Sequence, residues 1–186
     1  MNKRTIKKIG IILVAMALCL AIYNIYSDYL GEISSKKIIS QLPSVEEKLP
    51  QQEENLKIPV KNIDGIDIIG RIKIPKLERD LPVAATWSDE LMKKCPNRYR
   101  GEKYSEPLII LAHNYRSHFG GLGKLSQGDE IEFIDVLGRK IKYKVEAMEV
   151  IDGDDVERMT GTDFDLTLFT CTLDRTTRFT IRASRT

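Results

Sequence analysis

Lys140-Ile141-Lys142-Tyr143-Lys144-Val145-Glu146-Ala147 places a charged residue at every second position and an apolar one between each pair. A strand points successive side chains to opposite faces, so this octapeptide has one buried and one wet face as a strand and neither as a helix. The same grammar recurs outward from it. Glu130-Ile131-Glu132-Phe133 alternates, and Asp135-Val136-Leu137-Gly138 between the two runs suits a hairpin connection. Ile69-Gly70-Arg71-Ile72-Lys73-Ile74 alternates and stops at Pro75. Pro107 to Ala112 and Leu166 to Thr170 are continuous apolar runs, and Phe179-Thr180-Ile181 is the last. Ser88 to Cys95 and Asp154 to Thr160 suit short helices, the second capped by Asp154. The pattern predicts a mainly β domain, barrel or sandwich, of about six or seven short strands.

Upstream the grammar changes. Ile9 to Ile25 carries no charge, and with Tyr26 and Ser27 it is long enough for a transmembrane helix, which takes roughly 17–25 residues. Lys3, Arg4, Lys7 and Lys8 precede it, which puts the N-terminus in the cytoplasm; Tyr23, Tyr26 and Tyr29 suit the far interface. The residues after the run offer no A-x-A-like cleavage site, so an uncleaved anchor is preferred to a cleaved signal or a buried core helix. Four segments follow: a basic tail at 1–8, a transmembrane anchor at 9–27, an extracellular linker at 28–57 and a folded domain at 58–186. Ile33, Ile38, Ile39 and Leu42 are loosely periodic and could extend the helix; the QQEEN stretch has the composition of a solvated spacer.

The chain has 186 residues and a net charge of only +2, from 29 basic and 27 acidic residues. Nucleic-acid binding needs a larger, clustered basic excess, so that class is set aside. Cys19, Cys95 and Cys171 form neither a C-x-x-C pair nor a zinc pattern. Cys95 and Cys171 could pair. His113 and Cys171 each follow an apolar run, so each should stand at a strand end, held by a rigid element and open to a cleft. A thiolate attacks carbonyls, and a histidine beside it serves as acid and base. With ordinary pKa values, roughly 3% of the thiol and 24% of the imidazole are charged at pH 7. A fixed positive charge would raise the thiolate share and hold an oxyanion. Arg175, Arg178 and Arg182 are the candidates; across a short loop Arg178 would lie nearest the thiol.

Thr167-Leu168-Phe169-Thr170-Cys171 resembles the TLxTC motif of sortases, with arginine in the following strand. His113-Asn114-Tyr115-Arg116, with Phe119-Gly120 after it, resembles the sortase histidine region, and Gly70 to Pro75 resembles the family's opening strand. The resemblance covers about residues 62–183. It implies an eight-stranded β-barrel. It also implies a cysteine transpeptidase that cleaves an LPxTG-like sorting signal, holds the protein as a thioester and passes it to an amine. In Gram-positive bacteria that amine belongs to a cell-wall precursor or a pilin. By matching motifs, Cys171, His113 and Arg178 take the catalytic places, with Arg182 the alternative arginine. With neither a long insertion before the last strand nor an aromatic-bearing lid segment, the resemblance leans toward a housekeeping or class D-like enzyme.

Other features have plainer readings. His118 is a loop residue, since no third ligand accompanies the two histidines. Cys95 is structural or incidental, and Trp87 is partly buried packing. Asp152, Asp154, Asp155 and Glu157 could bind calcium, but a solvated loop and helix start is the simpler reading. No cofactor is implied. Two other functions compete: an inactive membrane-tethered binding barrel, and a plain thiol protease.

Overall fold

A computed structural model of the chain describes residues 3–44, 47–48, 55–161, 163–172 and 175–186. Eight of the described strands close a barrel: β1 (Ile66–Ile74), β2 (Arg79–Ala84), β3 (Asn97–Arg100), β4 (Leu108–Leu111), β5 (Glu130–Asp135), β6 (Arg139–Asp152), β7 (Leu166–Cys171) and β8 (Thr177–Arg185). The ring runs β1-β2-β3-β4-β7-β8-β6-β5 and returns to β1, because β5 pairs with both β1 and β6. Most neighbours are antiparallel; β2–β3 and β4–β7 are parallel. Of the two architectures the pattern allowed, the barrel is the one present. A short strand, Lys61–Ile63, forms a hairpin with β1, and Glu47–Lys48 lies parallel to β6.

The alternation does what it promised. Ile141, Tyr143 and Val145 are buried, while Lys142, Lys144 and Glu146 face water. They join Ile72, Phe133, Leu166, Leu168 and Ile181 in the barrel core. β6 then runs on to Asp152, five residues beyond the alternating octapeptide. The register slips by one at Glu146, between the pairs Arg182–Ala147 and Ala183–Val145. A one-residue bulge swaps the faces of everything beyond it. Ile151 therefore joins an outer cluster with Ile109, Met159 and Phe169, and Met148 and Val150 are exposed.

The β5–β6 turn is tied by Asp135. Its carboxylate accepts from the backbone of Leu137 and Arg139 (2.7 and 2.9 Å), from Arg139 Nε (2.7 Å) and from the Tyr104 hydroxyl. Helix α2 is Asp89–Met92, capped by Ser88 Oγ, which accepts from Leu91 N. Helix α3 is Val156–Thr160. Its cap is Asp155 rather than Asp154, because Asp155 Oδ1 reaches the Arg158 N–H at 3.0 Å.

Helix α1 runs from Lys3 to Ile39 without a break, about 55 Å at 1.5 Å per residue. Its apolar side chains from Ile6 to Tyr26 are exposed, and its length and composition allow it to cross a membrane. The segment read as linker is therefore helical through Ile39. Gly31, Ser35 and Ile38 are buried, a stripe at i, i+4 and i+7 that lies against the barrel. Ile38 and Leu42 pack on Ile63, Ile66, Ile68, Cys95 and Val136, a second core outside the barrel wall. Most of the spacer, residues 51–54, lies outside the described residues.

Candidate active site

Cys171 is the last residue of β7 and is half-buried. Its register partner on β8 is Arg178. On the other side of β7, the parallel pairing with β4 sets Leu111 beside Phe169. It continues one step further through Ala112 N–H, which donates to the Phe169 carbonyl (3.3 Å), and Thr170 Oγ1, which donates to the Ala112 carbonyl (2.8 Å). His113 follows directly after Ala112, two residues past the end of β4. Arg178 thus pairs with Cys171 on one side of β7, and His113 follows the strand on the other side. Beside Cys171 opens a cleft of about 450 Å³ lined by Asn114, Phe119, Leu122, Thr170 and Phe179, among others. The Phe-Gly-Gly-Leu-Gly stretch at 119–123 brings two of these apolar walls; its glycines were the only sequence sign that the chain turns sharply there.

The two arginines differ sharply. Arg178 Nη1 donates to the carbonyls of Arg175 and Thr177, both at 3.1 Å, and the guanidinium rests on Gly153. A Cβ on Gly153 would lie 3.0 Å from Arg178 Nη1 and 2.6 Å from the Thr176 carbonyl, so only glycine fits. Arg182 is 2% exposed. It donates to Glu149 Oε1 (2.8 Å), Thr167 Oγ1 (2.8 Å) and the carbonyls of Met159 (3.0 Å) and Arg158 (2.6 Å). Its register partner is Thr167, four residues before the thiol. Arg182 is a strut joining β6, β7, β8 and α3. Arg175 sits in the β7–β8 turn with a left-handed φ of 62°; Leu173 and Asp174 of that turn lie outside the described residues.

Burial holds the His113 imidazole below its ordinary pKa, assisted by Lys93 and Arg175, while Asp89 of α2 acts the other way. Depression keeps the ring mostly neutral at pH 7, in the form that accepts a proton. Tyr115 stacks between His113 and His118, with ring centroids 4.7 and 5.5 Å away.

His118 lies in a turn, as the reading of it as a loop residue has it, but the turn is covered. His118 is fully buried, and burial first, then His113, pushes its pKa down to about 4. The cover comes from α1, a segment far away in sequence. Trp87, read as partly buried packing, is 51% exposed, with its ring 6.2 Å from that of Tyr99. Cys95 and Cys171 are both free thiols, and burial pushes the Cys95 thiol up to about 12. Among the described residues no group of three or more His, Cys, Asp or Glu side chains is placed to hold a metal. Of the acidic run, Asp155 is engaged as a helix cap.

The sortase-domain family model matches residues 72–186, more than half of the chain. The chain belongs to the sortase family. Solved sortases share its fold. Streptococcus agalactiae sortase C1 is 27% identical, with a TM-score of 0.56 over 64% of this chain and 67% of that one. A sortase C1 from Streptococcus suis is 26% identical, at 0.56 over 64% and 73%. Clostridium perfringens sortase C, at 24% identity, superposes with 0.56 over 89% and 86%, a likeness of fold. No curated protein sequence matches the chain. Sortases are cysteine transpeptidases of the cell surface, and Arg178, Cys171 and His113 all lie inside the matched region of this sortase.

Proposed function

We propose that this sortase is a membrane-anchored transpeptidase that cleaves an LPxTG-like sorting signal and transfers the protein to an amine. The observation that carries the reading is Cys171 at the end of β7 beside an open apolar cleft, with Arg178 as its register partner on β8 and His113 just past the end of β4, the strand on the other side of β7. Neutral His113 takes the proton of the Cys171 thiol, and Sγ attacks the scissile threonine carbonyl. The carbonyl oxygen takes up the electron pair, and Arg178 donates to the resulting oxyanion. His113 gives a proton to the departing amine as the C–N bond breaks, leaving a thioester. An incoming amine then attacks the thioester, His113 takes its surplus proton, and the thiolate leaves.

The apolar, uncharged surface from Ile9 to Ile25 is what a bilayer would cover, and the basic residues before it favour a cytoplasmic N-terminus. The catalytic domain then works outside the cell. The acceptor is the amine of a cell-wall precursor or of a pilin. The class D-like lean stands as part of this proposal, because identities of 27% or less to sortase C structures do not separate subclasses.

The test uses the full chain in detergent micelles, an LPxTG peptide, and glycine or lysine peptides as acceptors. Mass spectrometry should find the amine adduct with the native chain and none with Cys171→Ala. Hydrolysis without adduct would favour the thiol protease, and no turnover an inactive binding barrel. Turnover surviving Cys171→Ala would overturn the nucleophile assignment.

A further inference from the structure

The exported end of α1 grips the turn that carries His113. Asp28 Oδ1 accepts from the Ser117 backbone N–H (2.7 Å) and from Ser117 Oγ (2.5 Å). One turn on, Gly31 lies against the buried His118 ring: a Cβ there would sit 3.0 Å from Nε2 and 3.1 Å from the Lys93 carbonyl. Another turn on, Ser35 Oγ donates to the Lys94 carbonyl at 3.1 Å.

These contacts fall on the two segments that flank His113. The first is the 113–120 turn, which is internally stiff. His118 N and Gly120 N donate to the Tyr115 carbonyl (3.0 and 2.7 Å), and Phe119 N donates to the His113 carbonyl (3.3 Å). Its rings form a stack, His113–Tyr115–His118, and Gly31 backs the far end of it. The second is the segment after α2, where Lys93 and, within α2, Asp89 set the field at His113. Helix α1 thus touches both of these segments without meeting the cleft itself.

We propose that Asp28 and Gly31 are positioning residues for His113, so that the helix carrying the membrane span also sets the catalytic geometry. The inference rests on the proposed role of His113. Small misplacements are expensive in catalysis: about 1 Å can cost about 100-fold. Stability of the barrel core, which α1 does not enter, should be little affected.

The chain has only two histidines, so their titrations can be followed by NMR in the tag-free full chain in micelles. In Asp28→Ala the turn loosens, water reaches His113, and its midpoint moves up toward the ordinary value of about 6.5. The same variant should lose about tenfold or more in kcat, with KM within about twofold. Asp28→Asn keeps an acceptor oxygen and should restore most of both. Gly31→Ala strengthens the isolated helix yet wedges against His118, so it should shift both readouts with α1 intact. Lys37→Ala, whose ammonium faces Asp64 on the outer side of the helix (2.9 Å), is the control and should change neither. A His113 midpoint and kcat matching the native chain in both Asp28→Ala and Gly31→Ala would overturn the inference. The midpoint is read without turnover, so an inactive native chain would count against the transpeptidase reading alone.

Discussion

Replacing Arg178 and Arg182 one at a time by alanine should separate chemistry from architecture. Arg178 is half-buried, and its guanidinium donates to two carbonyls of its own turn. Water can replace those bonds, so Arg178→Ala should cost only about 1 kcal/mol. If it holds the oxyanion, its loss should lower kcat by about 100- to 1,000-fold, the usual toll for removing such a donor. Arg182 is the opposite case. It makes four hydrogen bonds at 2% exposure, and alanine would leave Glu149, Thr167 Oγ1 and two carbonyls short of a donor. Breaking a buried pair in this way costs about 3–5 kcal/mol. For a domain of this size that lowers Tm by roughly 10–20 °C. The assays are adduct formation from an LPxTG peptide, at a temperature where every variant is folded, and thermal unfolding followed by circular dichroism. Arg178→Ala should unfold within a few degrees of the native chain and be nearly inactive. Arg182→Ala should unfold early and retain most of its turnover while folded. The reverse pattern, a stable but inactive Arg182→Ala beside an active Arg178→Ala, would refute the assignment by register.

Three further expectations follow from the buried groups. His118 is held at about 4 in the fold and near 6.5 when unfolded, so above 6.5 both states are neutral, and between 6.5 and 4 only the unfolded chain takes the proton. Urea unfolding should therefore lose about 3 kcal/mol as pH falls from 6.5 to 4, a loss that His118→Leu should remove. At pH 8, iodoacetamide should alkylate Cys171 and spare the buried Cys95, whose thiol titrates at about 12, as peptide mass spectrometry would show. Asp135→Ala should cost about 3–5 kcal/mol in chemical denaturation, because it strips the carboxylate from Arg139, Tyr104 and two backbone N–H groups at once.

The residues that could be read correctly from sequence are those whose environment is local. Alternation at 140–147 depends only on the pleat, and Cys171 and His113 follow apolar runs whose ends are visible in the chain. Register is not local. That Arg178 pairs with Cys171 and Arg182 with Thr167 is set by a short turn and by pairing with β6, so the sequence favoured Arg178 only on the condition that its strand pairs with that of Cys171. The extension of β6 beyond Ala147 was hidden because the slip at Glu146 reverses the alternation, and a reader following period two stops there. The burial of His118 was hidden for the same kind of reason: its neighbours in sequence are turn residues, and its cover arrives from α1.

That cover shows why apolar periodicity is a poor guide to this interface, and it bears on how the enzyme is assayed. Asp28, Gly31, Ser35 and Ile38 recur at helical spacing, yet three of them are polar or small and read as solvent-facing. The helix is held by close backbone approach and by the two hydrogen bonds Asp28 accepts from Ser117 as much as by apolar area. A catalytic domain cut at residue 58, the natural choice from sequence, loses this helix. Ile38 and Leu42, 2% and 8% exposed, would no longer cover Ile63, Ile66, Ile68 and Val136. At about 1.5–3 kcal/mol for each buried side chain, removing both forfeits roughly 3–6 kcal/mol as an upper bound. The 58–186 fragment should unfold at lower denaturant than a 28–186 fragment, and it should bind a hydrophobic dye at the patch left bare. Equal midpoints for the two fragments would mean that α1 merely leans on the barrel, and that its contacts with Ser117 and His118 carry no energy.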